Sequence, residues 1–488
     1  MTYNHRVILR TISIILLFEG AAMLPPLICA VYYNEFGPAS SLSFTACCCI
    51  ALGMLIFRFL KYYTLKIKQR ESYFIAFFCW FVVSLVGTLP YMFSGCGYSF
   101  IDCVFESVSG WTTTGAWTIP LETMPRSLIL WKAITNWLGG MGLLLLTISF
   151  FPVLGVEGQK MISAEVPGVE VEKMSARISD TAKISYRIYI VMTVVEFLLL
   201  LPSGLTPFEA LLNTMSTIST AGLMNLGTDA MTHLTPYVKT IFAAFSIIGS
   251  INFMMYFFLY HRKWRPVWRN VELRTYLGLL TGGAAIIAAA LVSCGRYDSY
   301  LHAFGDGFTQ AVAFGATSGF EVDDINMWPT LSKMILLILL FIGGCGNSTS
   351  GSIKVIRFII YFKIILRGVY KRIHPRAVKP VMIQGKPVSA ATAASVTVFV
   401  MMYFLVLLAS ALIFSLENMD METTLCTSLA CITNNGTAFG DITGGNFSVL
   451  SAGGKLFASI LMLSGRLELY AIILLFTRSF WNSDRARS

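Results

Sequence analysis

The sequence contains few charged residues. Of its 488 residues, 13% are Asp, Glu, Lys or Arg and 56% are hydrophobic, which excludes an ordinary soluble protein that must cover its surface with charge. The apolar residues form blocks that are each long enough to cross a bilayer as a helix, which predicts about ten spanning segments. These blocks are 11–32, 40–60, 73–94, 128–154, 185–205, 237–260, 275–294, 331–364, 390–416 and 454–480.

The first block lacks the features of a cleaved signal peptide. It contains Glu19, Pro25 and Pro26, no small-residue cleavage site follows it, and a second long apolar block comes directly after it. These properties predict a retained membrane helix.

Basic residues are scarce in every second connection between the apolar blocks. The connections 33–39, 95–127, 206–236, 295–330 and 417–451 hold only Arg126 and Arg296 as basic residues against many acids, whereas 61–71, 261–274, 354–386 and the C-terminus are rich in Lys and Arg. The positive-inside rule then predicts a multi-pass protein of the cell inner membrane with cytoplasmic N- and C-termini. This topology accounts for the net charge of +10 without a nucleic-acid partner.

Catalytic and metal-ligating patterns are missing from the sequence. The 11 cysteines include no CxxC pair, the five histidines have no metal-ligand spacing, and most cysteines lie in apolar blocks. We therefore expect small buried cysteines, no covalent cofactor and no enzyme activity.

A pattern of about 100 residues occurs four times on the acid-rich side. Each copy is a short apolar stretch that begins with an acid and ends in a small polar cluster with glycine, 13 positions later in three copies and 14 in the fourth. The copies run from Asp102 to Gly115, from Glu209 to Gly222, from Asp306 to Gly319 and from Glu422 to Gly436.

Four such units around one axis would form a cation pore. Each short helix would direct its negative C-terminal end toward the axis, and glycine would allow successive carbonyl oxygens to replace the hydration shell of a monovalent cation. The leading acids would concentrate cations at the outer mouth. The predicted filter residues are Thr113, Thr114, Gly115, Thr220, Ala221, Gly222, Thr317, Ser318, Gly319, Asn434, Asn435 and Gly436.

Two further features lie within apolar blocks or next to them. Arg466 falls near the middle of the last block, where a charge costs roughly 2.5–3.5 kcal/mol on insertion scales and must face protein or water. It could act as a barrier in the pore cavity or belong to a structural ion pair, for which Glu468 is on the wrong helix face. The basic run from Lys354 to Lys386 could dock an acidic partner or anionic membrane lipid, although topology alone explains it.

Several motifs resemble the TrkH branch of the Trk/Ktr/HKT superfamily of cation transporters. The stretch Thr112–Ala116 is similar to the first filter of that superfamily, and the likeness includes two N-terminal helices that the Ktr branch lacks. The other similar stretches are 137–142, 151–155, 164–168, 177–183, 341–345, 353–357 and 465–468.

The resemblance implies potassium uptake, with K+ bound at the filter as the transported ion. It implies a homodimer with one pore per subunit, a TrkA-like cytoplasmic nucleotide-binding regulatory subunit, and Arg466 below the filter. The third inner helix is expected to break at an intramembrane gating loop formed by Gly346, Asn347, Ser348, Thr349, Ser350 and Gly351.

The expected organisation is an N-terminal two-helix extension followed by four units of helix, pore helix, filter and helix. The predicted boundaries are 1–68 for the extension and 69–155, 156–262, 263–372 and 373–488 for the four repeats.

Two other functions are less consistent with the sequence. A sodium- or proton-coupled secondary transporter usually has two halves of opposite topology, whereas the four units here share one orientation. A polytopic membrane enzyme needs clustered polar groups or a large extramembrane loop. The sequence leaves open whether cation movement is channel-like or coupled, as in symport.

Overall fold

The computed structural model describes residues 5–60, 69–142, 178–222, 235–377, 379–469 and 472. Over these residues the protein is all-α, apart from one antiparallel pair of two-residue strands, Met382–Ile383 and Lys386–Pro387. The predicted fold class, an all-α membrane protein, is confirmed. The similar stretches 151–155 and 164–168 lie outside the described residues.

Each repeat contains, in chain order, an outer helix, a short helix and an inner helix. The N-terminal helices are His5–Ala22, Leu24–Tyr32 and Phe36–Phe59, and the outer helices are Gln69–Val86, Ile178–Leu200, Val271–Ser293 and Ala390–Phe414. The short helices are Phe100–Trp111, Pro207–Ile218, Tyr300–Gly315 and Met421–Thr433. The inner helices are Arg126–Gly140, Pro236–Ser250 with Phe253–Tyr260, Thr330–Ile342 with Val355–Ile373, and Ala452–Arg466. Minor helices are Leu89–Met92, Trp264–Trp268, Leu121–Thr123, Leu201–Ser203, Ile325–Met327, Ser415–Glu417 and Gly440–Gly445.

Fewer helices than the predicted ten are long enough to span a bilayer by themselves. Among the described residues six helices are long and apolar enough, and the bent pair 236–260 makes seven. The inner helices of repeats one and four are Arg126–Gly140 and Ala452–Arg466. Both end within their predicted apolar blocks, and most of the block residues that follow them are not among the described residues. The count of ten therefore stays a prediction.

The first inner helix is far more buried than the outer helices. In the first inner helix 13 of 15 residues are buried, including Lys132, Asn136 and Thr135. The outer helices leave large apolar side chains such as Val191 and Leu405 exposed, as expected for surfaces that contact lipid. Many of the buried polar residues lie in the short helices and in the segments that directly follow them.

Local capping fixes the start of three short helices. The side chains of Ser99, Thr206 and Asp420 each accept a hydrogen bond from a backbone N–H in the first turn, and Thr206 forms a capping box with Glu209. These caps fix the acid-rich ends of the first, second and fourth short helices, whose C-terminal ends lead into the predicted filter.

Two of the inner helices are interrupted. In repeat three the predicted break is present, because residues 343–354 between Thr330–Ile342 and Val355–Ile373 are not helical. In repeat two the block 237–260, which the sequence presents as one continuous apolar segment, bends by 91° between Ser250 and Phe253. The expectation of one uninterrupted segment there was wrong, and the physical reason lies in contacts made by the repeat-three loop.

Candidate functional site

The four predicted filter segments have the same backbone conformation. The first residue of each segment, Thr113, Thr220, Thr317 or Asn434, has a φ of 52–56°, and each glycine also has a positive φ, between 65° and 91°. The N–H of each middle residue donates to the carbonyl five positions earlier, at 2.9–3.1 Å. The middle residues are Thr114, Ala221, Ser318 and Asn435.

The four segments meet in a closed ring. A Cβ atom built on each glycine would approach the carbonyl oxygen of the middle residue in the next repeat, to within 1.8–3.0 Å. The pairs follow chain order and return to the start: Gly115 with Ala221, Gly222 with Ser318, Gly319 with Asn435, and Gly436 with Thr114. Four backbone carbonyls from four repeats therefore lie side by side, each against a position where only glycine fits.

A buried ion pair supports the ring in repeat one. Glu106 and Lys132 are 0% and 1% exposed and their charged atoms are 2.5 Å apart. Glu106 also accepts from the N–H groups of Thr118 and Ile119 at 2.7 and 3.0 Å, while Lys132 donates to the carbonyl of Ala116 at 3.0 Å. The pair thus holds the segment that leaves the filter of repeat one.

Amide side chains hold the equivalent segments of repeats three and four. Gln310, which like Glu106 precedes its filter glycine by nine positions, donates to Phe320 O at 3.2 Å and accepts from Val322 N at 3.1 Å. Asn435 donates to Thr437 O at 2.7 Å. One amide in repeat three therefore makes the contacts for which repeat one uses an acid and a lysine.

The sequence prediction missed these supporting residues. The signal was available, since Glu106 and Gln310 occupy the same repeat position and Lys132 is a charge within an apolar block. A buried charge must be paired, so Lys132 implied a carboxylate nearby.

Three of the four leading acids form ion pairs with lysines. Three of the four acids pair with a lysine at the same position of the preceding repeat's inner helix, so their negative charge is offset there. These pairs are Asp306 with Lys239 at 3.3 Å, Glu422 with Lys333 at 2.8 Å, and Asp102 with Lys455 at 2.7 Å. The fourth acid, Glu209, caps its own helix.

The predicted gating loop lies directly against the ring. The N–H of Gly351 donates to Thr317 Oγ1 at 2.7 Å, and the Thr349 hydroxyl lies 3.3 Å from Thr220 Oγ1. A Cβ at Gly351 would lie 1.9 Å from the carbonyl oxygen of Thr433. The structure therefore brings the loop, including the buried Ser350, together with filter residues of repeats two, three and four.

Arg466 connects this loop to the opposite inner helix. Its guanidinium donates to the carbonyls of Thr349 at 2.9 Å, of Gly140 at 3.2 Å and of Gly139. Glu468 forms an ion pair with Arg357. The position of Arg466 next to both loop and inner helix fits a barrier on the axis below the ring.

Among the described residues, no group of three or more His, Cys, Asp or Glu side chains could hold a metal ion. The polar groups that converge on the axis are backbone carbonyls, hydroxyls and amides. Such groups suit a dehydrated monovalent cation.

A ring of carbonyls from four repeats, with a loop and an arginine beneath it, defines a membrane cation transport protein. The family model described as TrkH, cation transport protein, matches residues 41–484. The chain belongs to the TrkH family.

Known relatives match over nearly their whole length. The Trk system potassium uptake protein TrkH of Salmonella typhimurium is 32% identical over 98% of this chain and 99% of its own. The Trk system potassium uptake protein TrkG of Escherichia coli is 30% identical over 99% of this chain and all of its own. The crystal structure of the potassium transporter TrkH from Vibrio parahaemolyticus, at 26% identity, covers 98% of this chain with a TM-score of 0.88.

Proposed function

We propose that this chain takes up potassium across the cell inner membrane as the pore-forming subunit of a Trk-type system. The observation that carries the proposal is the closed ring, in which the carbonyls of Thr114, Ala221, Ser318 and Asn435 lie against the glycines of neighbouring repeats. Carbonyl rings of this kind replace the water around a potassium ion. The names of the full-length relatives support the same ion.

In this proposal the loop 346–351 is the gate and Arg466 is the barrier beneath the filter. Thr349 and Gly351 already contact three filter segments, so an ion leaving the ring would meet the loop first. The guanidinium of Arg466 would repel a cation that stays in the cavity. Release of the loop would therefore open the path and shorten the residence of the ion.

The remaining parts of the proposal concern assembly and placement. A TrkA-like nucleotide-binding subunit would bind the basic cytoplasmic side, where the helix Val355–Ile373 and the hairpin 382–387 carry most of the run from Lys354 to Lys386. The relatives are named as proteins of a Trk system, which supports a partner subunit here. Four features stay predictions: the homodimer, the lipid contacts, the cytoplasmic termini and the repeat boundaries.

The test is rubidium uptake into proteoliposomes under an inside-negative potential, with potassium and sodium as competitors. Gly319→Ala would place its Cβ 2.0 Å from the Asn435 carbonyl oxygen and should abolish uptake that potassium blocks better than sodium. Gly295→Ala is the matched control, because Gly295 has φ 74° like the filter glycines but has open space around it. Equal uptake by both variants would contradict the assignment of the ring as the selectivity filter.

A further inference from the structure

The gating loop is bound to the interrupted inner helix of repeat two. Ser250 O accepts from Cys345 N at 3.0 Å, Gly249 O accepts from Thr349 N at 3.2 Å, and Phe253 N donates to Asn347 O at 3.0 Å. These three backbone hydrogen bonds lie at the 91° bend. The loop of one repeat therefore supplies the partners that the broken helix of another repeat has lost.

A continuous helix would use the same backbone groups internally. In an uninterrupted helix Phe253 N would bond to Gly249 O, and Met254 N would bond to Ser250 O. In the bent form the loop takes both carbonyls and Phe253 N, and Met254 N donates to Asn252 Oδ1 at 3.0 Å. Withdrawal of the loop would free these groups to re-form helix 236–260, so the two arrangements exchange one set of hydrogen bonds for another.

One carboxyl group contacts both the gating loop and the bend of the repeat-two inner helix. Glu272, in the first turn of the repeat-three outer helix, is 5% exposed and accepts from the N–H of Gly346 at 2.6 Å. The Asn252 side chain, which caps the helix after the bend, also hydrogen-bonds to Glu272. The carboxylate therefore contacts the loop and the bend at once.

We infer that Glu272 is a positioning residue of the gate, which holds the loop against the filter by fixing it to the bent inner helix of repeat two. This inference rests on the proposed function, because the loop is a gate only if the ring is a pore. Removal of the buried carboxyl group would leave the N–H of Gly346 and the side chain of Asn252 without this partner, so it should shift the loop equilibrium noticeably. The loop should then leave its site more often.

The chain contains its own reporter for this movement. Cys345 directly precedes the loop in the non-helical segment 343–354, is a free cysteine and is 1% exposed. Cys431, in the fourth short helix, is 0% exposed and does not contact the loop or the bend. Alkylation of the intact protein by N-ethylmaleimide, measured at each cysteine by peptide mass spectrometry, reports loop opening at Cys345. Cys431 reports general loosening of the fold.

Glu272→Ala should raise the alkylation rate of Cys345 by roughly tenfold, while Cys431 stays unchanged. Glu272→Gln keeps an acceptor for Gly346 N and should stay near the wild-type rate. Unchanged alkylation of Cys345 in a folded Glu272→Ala variant would overturn the inference, and so would an equal rise at both cysteines. If Glu272→Ala does not fold, Asn252→Ala, which removes the other contact of the carboxylate, should give the same selective rise at Cys345, and no rise would again refute it.

Rubidium uptake by the same samples separates this inference from the proposed function. Faster uptake by Glu272→Ala, still blocked better by potassium than by sodium, is expected. Selective alkylation of Cys345 without rubidium uptake in any variant would keep the loop anchor and count against the potassium pore.

Discussion

Single residues around the ring decide how rigidly its carbonyls are held. Glu106 and Lys132 form a fully buried ion pair whose hydrogen bonds end on backbone atoms just beyond the filter of repeat one. Removing one partner of a buried pair typically costs about 3–5 kcal/mol, because the other charge stays buried alone. The neutral Gln310 at the equivalent position of repeat three makes similar contacts without burying a charge.

Glu321 gives the mouth of the ring a pH-sensitive group. It lies two positions after Gly319, accepts from Thr437 Oγ1 at 2.5 Å and from Gly444 N at 2.8 Å, and so connects repeats three and four. Burial raises the pKa of Glu321 to about 7, the two hydrogen bonds oppose that rise, and the nearby Asp324 adds to it. The carboxyl group is therefore protonated below this pH and charged above it.

We predict that potassium uptake becomes tighter as the external pH rises through about 7. The ionised carboxylate attracts cations to the mouth, so the apparent affinity should rise roughly threefold between about pH 6 and about pH 8. Glu321→Gln should remove this pH dependence while uptake itself persists. Rubidium uptake at several external pH values measures it, and an unchanged pH profile in Glu321→Gln would contradict the assignment.

At the residue scale the four glycines and their nearby supports could be identified from the repeat, whereas ion pairs between distant parts of the chain could not. Repetition of a small polar cluster with glycine marked Gly115, Gly222, Gly319 and Gly436 as equivalent positions. The pairing of Asp102 with Lys455 joins residues from opposite ends of the chain. No local pattern encodes such a contact, so the expectation of free acids at the mouth could not be corrected from the sequence.

At the scale of secondary-structure elements, the two interrupted inner helices meet at the proposed gate. The break in repeat three was predictable because residues 343–352 are rich in glycine and small polar residues. The break in repeat two was not, because the block 237–260 is apolar and contains no internal proline. Its bend depends on hydrogen bonds from a loop about 100 residues later, which a local reading of hydropathy does not include.

We predict that Arg466→Gln increases potassium uptake. The guanidinium ties the Thr349 carbonyl of the loop to the Gly139 and Gly140 carbonyls of the first inner helix, and it adds a positive charge below the ring. Removing both effects should raise the rubidium uptake rate roughly tenfold without loss of potassium preference. Leu456→Ala, an exposed position near the other end of the same helix, is the control and should leave the rate close to wild type. A slower Arg466→Gln variant with normal reconstitution would argue against the barrier.

At the scale of the whole molecule, four unequal repeats form one ring. Their sequences differ at the middle filter position, where Thr, Ala, Ser and Asn occur, yet the backbone conformations agree closely. The proposed function therefore depends on carbonyls rather than on side chains, and a repeat of glycines and acids was enough to identify the four segments that meet in the ring. Three acid–lysine pairs join neighbouring repeats, and the pair between repeats one and two is replaced by Ile129 and a capping glutamate, Glu209.

The most direct test of this account is the position of a bound ion. An experimental structure of the protein grown in rubidium chloride should show anomalous density on the axis, coordinated by the carbonyl oxygens of Thr114, Ala221, Ser318 and Asn435. Excess sodium should displace this density much less effectively than excess potassium. Rubidium found only beside acidic side chains such as Glu321, with the ring empty, would contradict the carbonyl filter.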